Sequence, residues 1–360
     1  MKKILYIGKY NGIIGGIERY MQKSAALLRR NGFSVHYLYT EEGGRDQEDF
    51  ARSFESTGVF SPENPLLEKT DIVIIHNIIA VDFLRFMPSG KTFFFAHDHN
   101  IYCQRHHYYF PVGRINCHRK YNKIICKICS LCRNAPPPLA EYRKFPALVL
   151  SDFMTENLHR NGFEKVLKLP AFIKTEKKEH KFMPDKVLRV LFLGQLIRGK
   201  GADLMLETLA KLDIAFSCTV AGDGNDRKML EKMVEKYHLG DKVYFTGFVS
   251  EPEKLWQNCD VFFFPIRWQE PFGLVALEAM AHGVPAVAFD LGGVREYLSE
   301  NCGILIPEKD TGKAAEALTE LYAHPEKLEE LGRNALQVVE EKFTEKEFVE
   351  KIKGLCEVQE

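Results

Sequence analysis

The chain reads as an α/β protein built from two doubly wound parallel sheets in tandem, and three observations carry that expectation. Short apolar runs alternate with helical patterns through both halves of the sequence, the signature of parallel strands joined by crossover helices. Glycine-bearing turns follow several of these runs, at the strand ends where such sheets bind ligands. The length, 360 residues, is more than one ordinary core holds, so two domains are expected.

In the first half, residues 3–8 (KILYIG) form a buried-strand pattern, followed by a glycine turn and an amphipathic helix over 16–30. The turn, residues 10–16, resembles a phosphate-cradling loop but lacks the full G-x-G-x-x-G spacing. Strands are predicted at 34–39, 71–76 and 92–96, with helical patterns near 45–54 and 78–86. Regular patterning then fails for some 45 residues until a strand at 147–150, and a loop of that length inside a domain is functional or internally braced. A proline-punctuated, Lys-rich stretch from about 169 to 185 marks the boundary.

The second half starts afresh with VLRVLFLG at 187–194. Strands are predicted at 216–221, 242–245, 260–265, 285–289 and 303–306, alternating with helices near 201–212, 226–238, 250–258, 272–283 and 311–322. Two helical segments, 325–341 and 344–356, end the sequence. The expected organisation is a first domain over 1–168, a linker over 169–186, a second domain over 187–340 and a closing helix over 341–360 that packs back on the first domain.

Composition narrows the function classes. A chain 45% hydrophobic and 27% charged has the makeup of a globular protein. No apolar run reaches the roughly 18 residues a spanning helix needs, and no leader pattern precedes the first strand, so a cytoplasmic protein is expected. The zero net charge conceals an asymmetry: residues 1–170 hold 24 Lys+Arg against 16 Asp+Glu, and the remainder 25 against 33. The basic half suits an anionic surface or is a solvated basic face.

The stretch 268–296, WQEPFGLVALEAMAHGVPAVAFDLGGVRE, holds two carboxylates, Glu270 and Glu278, around a short loop and an apolar helix. A carboxylate in such a helix needs hydrogen-bond partners, because burying it unpaired costs several kcal/mol. A polyhydroxylated ligand supplies them; a self-capping Glu or a buried Arg partner is the plain alternative. Pro271-Phe272-Gly273 lets backbone N–H groups at the helix N-terminus approach an anion or hydroxyl.

The irregular loop holds Cys103, Cys117, Cys126, Cys129 and Cys132, the last three spaced C-x2-C-x2-C. In a reducing compartment such clustering points to metal, with four of the five thiolates holding a structural zinc or, less readily, an iron–sulfur cluster; reduced, unligated cysteines are the alternative. Between His99 and Ala140 the loop has seven Lys+Arg and no Asp or Glu, with Tyr102, Tyr108, Tyr109 and Phe110 among them. Basic and aromatic residues together suit nucleic acid or a phosphorylated lipid.

Two similar sheets in tandem, Gly-rich loops facing a shared cleft and the Glu-x7-Glu spacing of Glu270 and Glu278 resemble the GT-B fold and retaining glycosyltransferase family 4. EPFGLVALEAMAHGVPAVAFDLGGVRE carries most of the resemblance; GGIE at 15–18, VIIHN at 73–77, AHD at 96–98, LGQLIRGKG at 193–201 and VAGDG at 220–224 add to it. The resemblance implies two Rossmann-like domains and transfer of a sugar from a nucleotide diphosphate sugar with retention. It implies no catalytic cofactor and no metal at the diphosphate, in keeping with a sequence that has no Asp-x-Asp motif.

Residue by residue, it implies that Glu270 holds donor-sugar hydroxyls, that the N–H groups of Phe272, Gly273 and Leu274 hold sugar and diphosphate, and that Glu278 binds the ribose. Lys200 would neutralise the leaving diphosphate, Gly15 and Gly16 would approach it from the first domain, Gly222 would line the donor loops, and His97 would stand near the anomeric carbon. Gln195 replaces the arginine usual in the family, and Arg198 from the same loop is the candidate for the missing charge. The acceptor implied is a glycan or polyprenyl-linked saccharide at the inner membrane surface, in cell-surface polysaccharide assembly. Other readings are a catalytically silent GT-B binding subunit, a nucleotide-sugar epimerase and a nucleic-acid module on the basic loop; the last is disfavoured because that loop is an insertion within a domain.

Overall fold

The computed structural model describes residues 1–77, 79–105, 108–110, 115–131, 138–175, 182–183, 186–249 and 251–357. The chain divides into two compact units, Met1–Phe172 with Glu345–Glu360, and Ile173–Thr344.

The strands of unit 1 are β1 (Lys3–Tyr10), β2 (Ser34–Glu41), β3 (Ser56–Val59), β4 (Ile72–Ile75), β5 (Thr92–Phe95), β6 (Tyr109–Phe110), β7 (Ile115–Asn116), β8 (Ala147–Val149) and β9 (Val166–Lys168). Seven form one parallel sheet in the order β3-β2-β1-β4-β5-β8-β9, while β6 and β7 make a separate antiparallel ribbon. Ile72–Ile75, Thr92–Phe95 and Ala147–Val149 are buried throughout, as expected of strands covered on both faces. The crossover helix Gly16–Arg30 opens with a one-sided cap in which Gly15 N–H donates to Glu18 Oε2 at 2.9 Å. The last helix, Glu345–Glu357, packs on it: Phe348 is buried and its ring lies 6.4 Å from that of Tyr20.

Unit 2 contains β10 (Leu188–Leu193), β11 (Phe216–Ala221), β12 (Val243–Gly247), β13 (Val261–Phe264), β14 (Ala286–Phe289) and β15 (Gly303–Ile306). All are parallel, ordered β12-β11-β10-β13-β14-β15. Strand order reverses beside β1 in the first sheet and beside β10 in the second. At such a switch point the loops leaving two neighbouring strands run to opposite faces and open a crevice. The loops after β1 and β4, and those after β10 and β13, are therefore where each unit is shaped to hold a ligand.

Candidate functional site

In unit 2 the two loops at the switch point bring charged groups together. The loop leaving β10 makes a single 3-10 turn, Arg198–Lys200, and ends at Gly201 in the left-handed region (φ 75°). A Cβ at Gly201 would fall 1.7 Å from the Pro265 carbonyl oxygen, so only glycine lets the loop after β10 lie against the loop after β13. Gly199 is equally restricted: an added Cβ would stand 1.8 Å from the Trp268 ring. This packing delivers Lys200 Nζ to 2.8 Å from Glu270 Oε2. Trp268 Nε1–H donates to the same oxygen at 3.2 Å, and the ammonium lies 5.3 Å from the indole centroid. The pair is partly shielded, with side chains 23% and 13% exposed.

Behind it, Arg267 and Arg198 share the buried carboxylate of Asp203. Arg198 Nη1 lies 2.9 Å from Asp203 Oδ2, and Arg267 Nη2 contacts the same oxygen. Arg267 is 3% exposed and Arg198 49%. Two guanidiniums on one carboxylate leave the loop cationic, and Arg198 is the member open to solvent. Gln195 is exposed. Gly222 lies against the same loop, where an added Cβ would come within 1.9 Å of the Gly194 carbonyl oxygen.

Glu270 is held from its other side. Gly293 N–H donates to the Glu270 carbonyl at 2.7 Å, and an added Cβ at Gly292 (φ 68°) would lie 2.1 Å from that oxygen. Gly273 caps the helix Leu274–Ala281 in the left-handed region (φ 89°), its carbonyl accepting from Tyr297 Oη at 3.1 Å. The first four N–H groups of a helix lack intrahelical acceptors, so Phe272, Gly273 and Leu274 bring amides and the positive end of the helix dipole next to Glu270. Glu278, in the second turn of this helix, is half-buried, and its carbonyl accepts from His282 Nδ1 at 2.8 Å.

In unit 1 the loop after β1 carries Gly15 and Gly16, and the loops after β4 and β5 bring His76 and His97 together. Gly16 is exposed, and a Cβ there would meet nothing within 4 Å. His97, after β5, stacks on Phe95 (4.1 Å, 5°) and shares a hydrogen bond of 3.0 Å between its Nε2 and His76 Nδ1. Burial pushes the His97 imidazole down to about 3, and His76 well below its ordinary value. Both rings are therefore neutral near pH 7, and His97 can orient a hydroxyl but is not a counterion for phosphate. The next residue, Asp98, is pushed up to about 6, chiefly by burial, against the lowering hydrogen bond from Asn100 N–H and with the Glu18 carboxylate adding to the rise. Among the described residues the Tyr20 hydroxyl, His76 Nε2 and Asn100 Oδ1 have no hydrogen-bond partner.

The cysteine cluster is a correction. Among the described residues no group of three or more His, Cys, Asp or Glu side chains is arranged to hold a metal ion, so the expected zinc or iron–sulfur site is not supported. Cys132 lies outside the described residues. Burial raises the Cys103 and Cys126 thiols, which works against the thiolate form a metal requires. Packing and hydrogen bonds brace the insertion: Cys103, Cys117 and Tyr121 lie against the unit 1 core, and Tyr102 and Tyr108 are buried in it. Arg105 Nε donates to the Cys129 carbonyl at 2.6 Å, and Tyr121 N–H to Asn161 Oδ1 at 2.8 Å.

Arg267, Asp203, Trp268 and Tyr297 were not singled out in the sequence as site residues. An arginine directly after the buried strand VFFFPI was the available signal, since a charge there needs a partner.

Two switch-point loops of this kind, one set on each of two tandem parallel sheets, define a GT-B architecture. The structure of Anabaena HepE in complex with UDP and glucose superposes with a TM-score of 0.76 over 99% of this chain and 100% of that one, at 16% identity. The family model described as Glycosyl transferases group 1 matches residues 173–338. The alpha-D-kanosaminyltransferase of Streptomyces kanamyceticus is 32% identical over 163 residues, 43% of this chain and 42% of the relative. The O-antigen biosynthesis glycosyltransferase WclY of Escherichia coli is 28% identical over 173 residues, 48% and 47% of the respective chains. The chain thus spans less than half the length of these curated relatives. The fold is GT-B, and residues 173–338 are similar in sequence to glycosyl transferases of group 1.

Proposed function

We propose that the chain is a retaining glycosyltransferase of family 4. In this reading it moves a hexosyl unit from a nucleotide diphosphate sugar to a glycan or polyprenyl-linked acceptor, in cell-surface polysaccharide assembly on the cytoplasmic face of a membrane. The observation that carries the reading is Lys200 Nζ at 2.8 Å from Glu270, beside the N-terminus of helix Leu274–Ala281. A cation, a carboxylate and the amides of a helix N-terminus within one loop cluster match the needs of a ligand that is phosphate at one end and hydroxyl-rich at the other.

Glu270 then accepts hydrogen bonds from sugar hydroxyls, and Glu278 from the ribose. Lys200, Arg198 and the amides of Phe272, Gly273 and Leu274 receive the charge that grows on the diphosphate as the anomeric C–O bond breaks; Gln195 and Gly222 line the same loops. That charge is met by the side chains themselves, with no divalent ion assigned to the diphosphate. The acceptor hydroxyl adds on the face the diphosphate leaves, and its proton passes to the departing phosphate oxygen. In unit 1, Gly15 and Gly16 offer a close backbone approach to phosphate, and neutral His97 a hydrogen bond to a hydroxyl. The similarity to two transferases, and the UDP and glucose bound by HepE, support a nucleotide-sugar donor.

The test is nucleotide release and thermal stabilisation across a panel of nucleotide sugars, with and without EDTA, with Glu270→Ala as control. Release with one donor, insensitive to EDTA and lost in Glu270→Ala, is the expected result. Absence of both release and stabilisation with every donor rejects the reading. A second reading, a silent binding subunit, is favoured by the engagement of Arg198 with Asp203; stabilisation by a donor without release in the presence of glycan acceptors would select it.

A further inference from the structure

The cysteine-rich insertion presents an apolar face that the site above does not use. Its helix, Lys123–Cys129, is preformed: Asn122 caps it, its side chain accepting from the Ile124 and Ile125 amides at 3.1 and 3.0 Å. The segments flanking it are tied to the body of unit 1, through Arg105 to the Cys129 carbonyl, Tyr108 Oη to the Arg119 carbonyl, and Tyr121 N–H to Asn161. Cys126 and Cys129 turn inward and are half-buried. The opposite face carries Ile124 (72% exposed), Ile125 (46%), Ile128 (65%) and, just past the helix, Leu131 (57%). Ile124, Ile125 and Ile128, at i, i+1 and i+4, share one face of the helix, and Leu131 follows its C-cap Ser130. Ile115, on β7, adds a further aliphatic that is 59% exposed.

Large aliphatics this open to water are individually ordinary, but a contiguous stripe rimmed by charge marks an interaction surface. The rim is of one sign. Arg119, Lys120, Lys123 and Lys127 are all exposed, and no Asp or Glu occurs between Asp98 and Glu141.

We infer that this stripe is a membrane-docking surface, with Ile124, Ile128 and Leu131 entering the acyl boundary of an anionic bilayer and the lysines engaging its headgroups. Charge complementarity selects this occupant. A second copy of the same face would set these cations against their counterparts with no acid in the insertion to offset them. Nucleic acid would call for aromatic platforms, and the side chains on offer are branched aliphatics. Lysine stems can lie along the apolar surface while their ammonium groups reach the phosphates. Because the helix is already capped and braced, little ordering accompanies insertion. The inference deepens the proposal of a lipid-linked acceptor and rests on its membrane part only.

The test is co-sedimentation of the full chain with vesicles of pure phosphatidylcholine and with vesicles containing about 30 mol% phosphatidylglycerol. The wild type binds the anionic vesicles and releases from them as salt rises. Ile124→Ser/Ile128→Ser lowers the partition coefficient by about tenfold or more, and Lys123→Glu/Lys127→Glu removes the preference for anionic lipid. All four side chains are exposed, so an unchanged thermal midpoint separates these effects from misfolding. Equal binding by the Ile124→Ser/Ile128→Ser variant, or no binding by the wild type, overturns the inference. So does light scattering that shows a wild-type dimer dissociated by the isoleucine changes without vesicle binding. Nucleotide release is read without vesicles, so vesicle binding without release would defeat the transfer reading and leave the docking surface standing.

Discussion

Lys200 Nζ and Glu270 Oε2 stand 2.8 Å apart although 70 residues separate them, because they leave the C-terminal ends of the adjacent strands β10 and β13. The ammonium is thus fixed before any ligand arrives, which is what a group meant to meet developing phosphate charge requires. Lys200→Ala is expected to lower donor-dependent nucleotide release by about a hundredfold or more. Trp268 Nε1 still donates to Glu270 in that variant, so the thermal midpoint should fall only slightly. A release rate within a few-fold of wild type would remove Lys200 from the proposed machinery.

The two arginines on Asp203 should separate by phenotype. Arg267 is almost fully buried with its carboxylate, and removing one partner of such a pair strands a charge, at a cost of about 3–5 kcal/mol. Arg267→Ala should therefore lower the unfolding midpoint strongly. Arg198 is half exposed, where an ion pair contributes about 0–1 kcal/mol; Arg198→Ala should leave stability nearly intact and slow nucleotide release. Unchanged release would reject the idea that Arg198 stands in for the cation absent at Gln195.

Gly199 is the position where sterics alone should disturb the site. An added methyl would sit 1.8 Å from the Trp268 ring, so the indole must move and take its hydrogen bond to Glu270 with it. Gly199→Ala should cost about 1–3 kcal/mol of stability and raise the donor KM more than it lowers kcat. Tryptophan fluorescence reports the displacement, since Trp268 and Trp256 are the only two tryptophans. An unshifted spectrum with wild-type KM would show that the loop relaxes without moving Trp268.

Most of the parallel framework was legible because buried strands such as Ile72–Ile75 and Val261–Phe264 are unbroken apolar runs. Three kinds of element escaped. β3 (Ser56–Val59) is a polar, largely exposed edge strand, and β9 is only three residues long, so neither has the apolar pattern that betrays a strand. The β6–β7 ribbon lies inside the insertion, where pairing across a loop leaves no local period. In the site, glycine turns and the Glu270 helix were visible as local patterns. The Arg267–Asp203 pair spans 64 residues and exists only once β10 and β13 lie side by side. The cysteine spacing suggested ligands because C-x2-C resembles a metal knuckle; spacing could not show that Cys103 and Cys117 pack against the hydrophobic core of unit 1.

The hydrogen-bonded pair of His76 and His97 gives unit 1 a pH signature of calculable sign. A group whose folded pKa is depressed contributes stability that is full above its unfolded value, about 6.5 for histidine, and lost as pH falls toward the folded value. His97, pushed down to about 3, and His76, pushed in the same direction, both act this way. Asp98 opposes them. Its folded value of about 6 lies above the ordinary carboxylate range, so its contribution grows as pH falls from about 6 to 4. Two groups against one leave a net loss of stability on acidification from pH 7 to 5. His97→Gln should flatten the dependence by about 1.4 kcal/mol per pH unit between roughly pH 4.5 and 6. The readout is amide exchange in β4 and β5, because both tryptophans belong to unit 2 and would report the other half of the chain. A wild-type slope retained by His97→Gln would place the acid sensitivity elsewhere in unit 1.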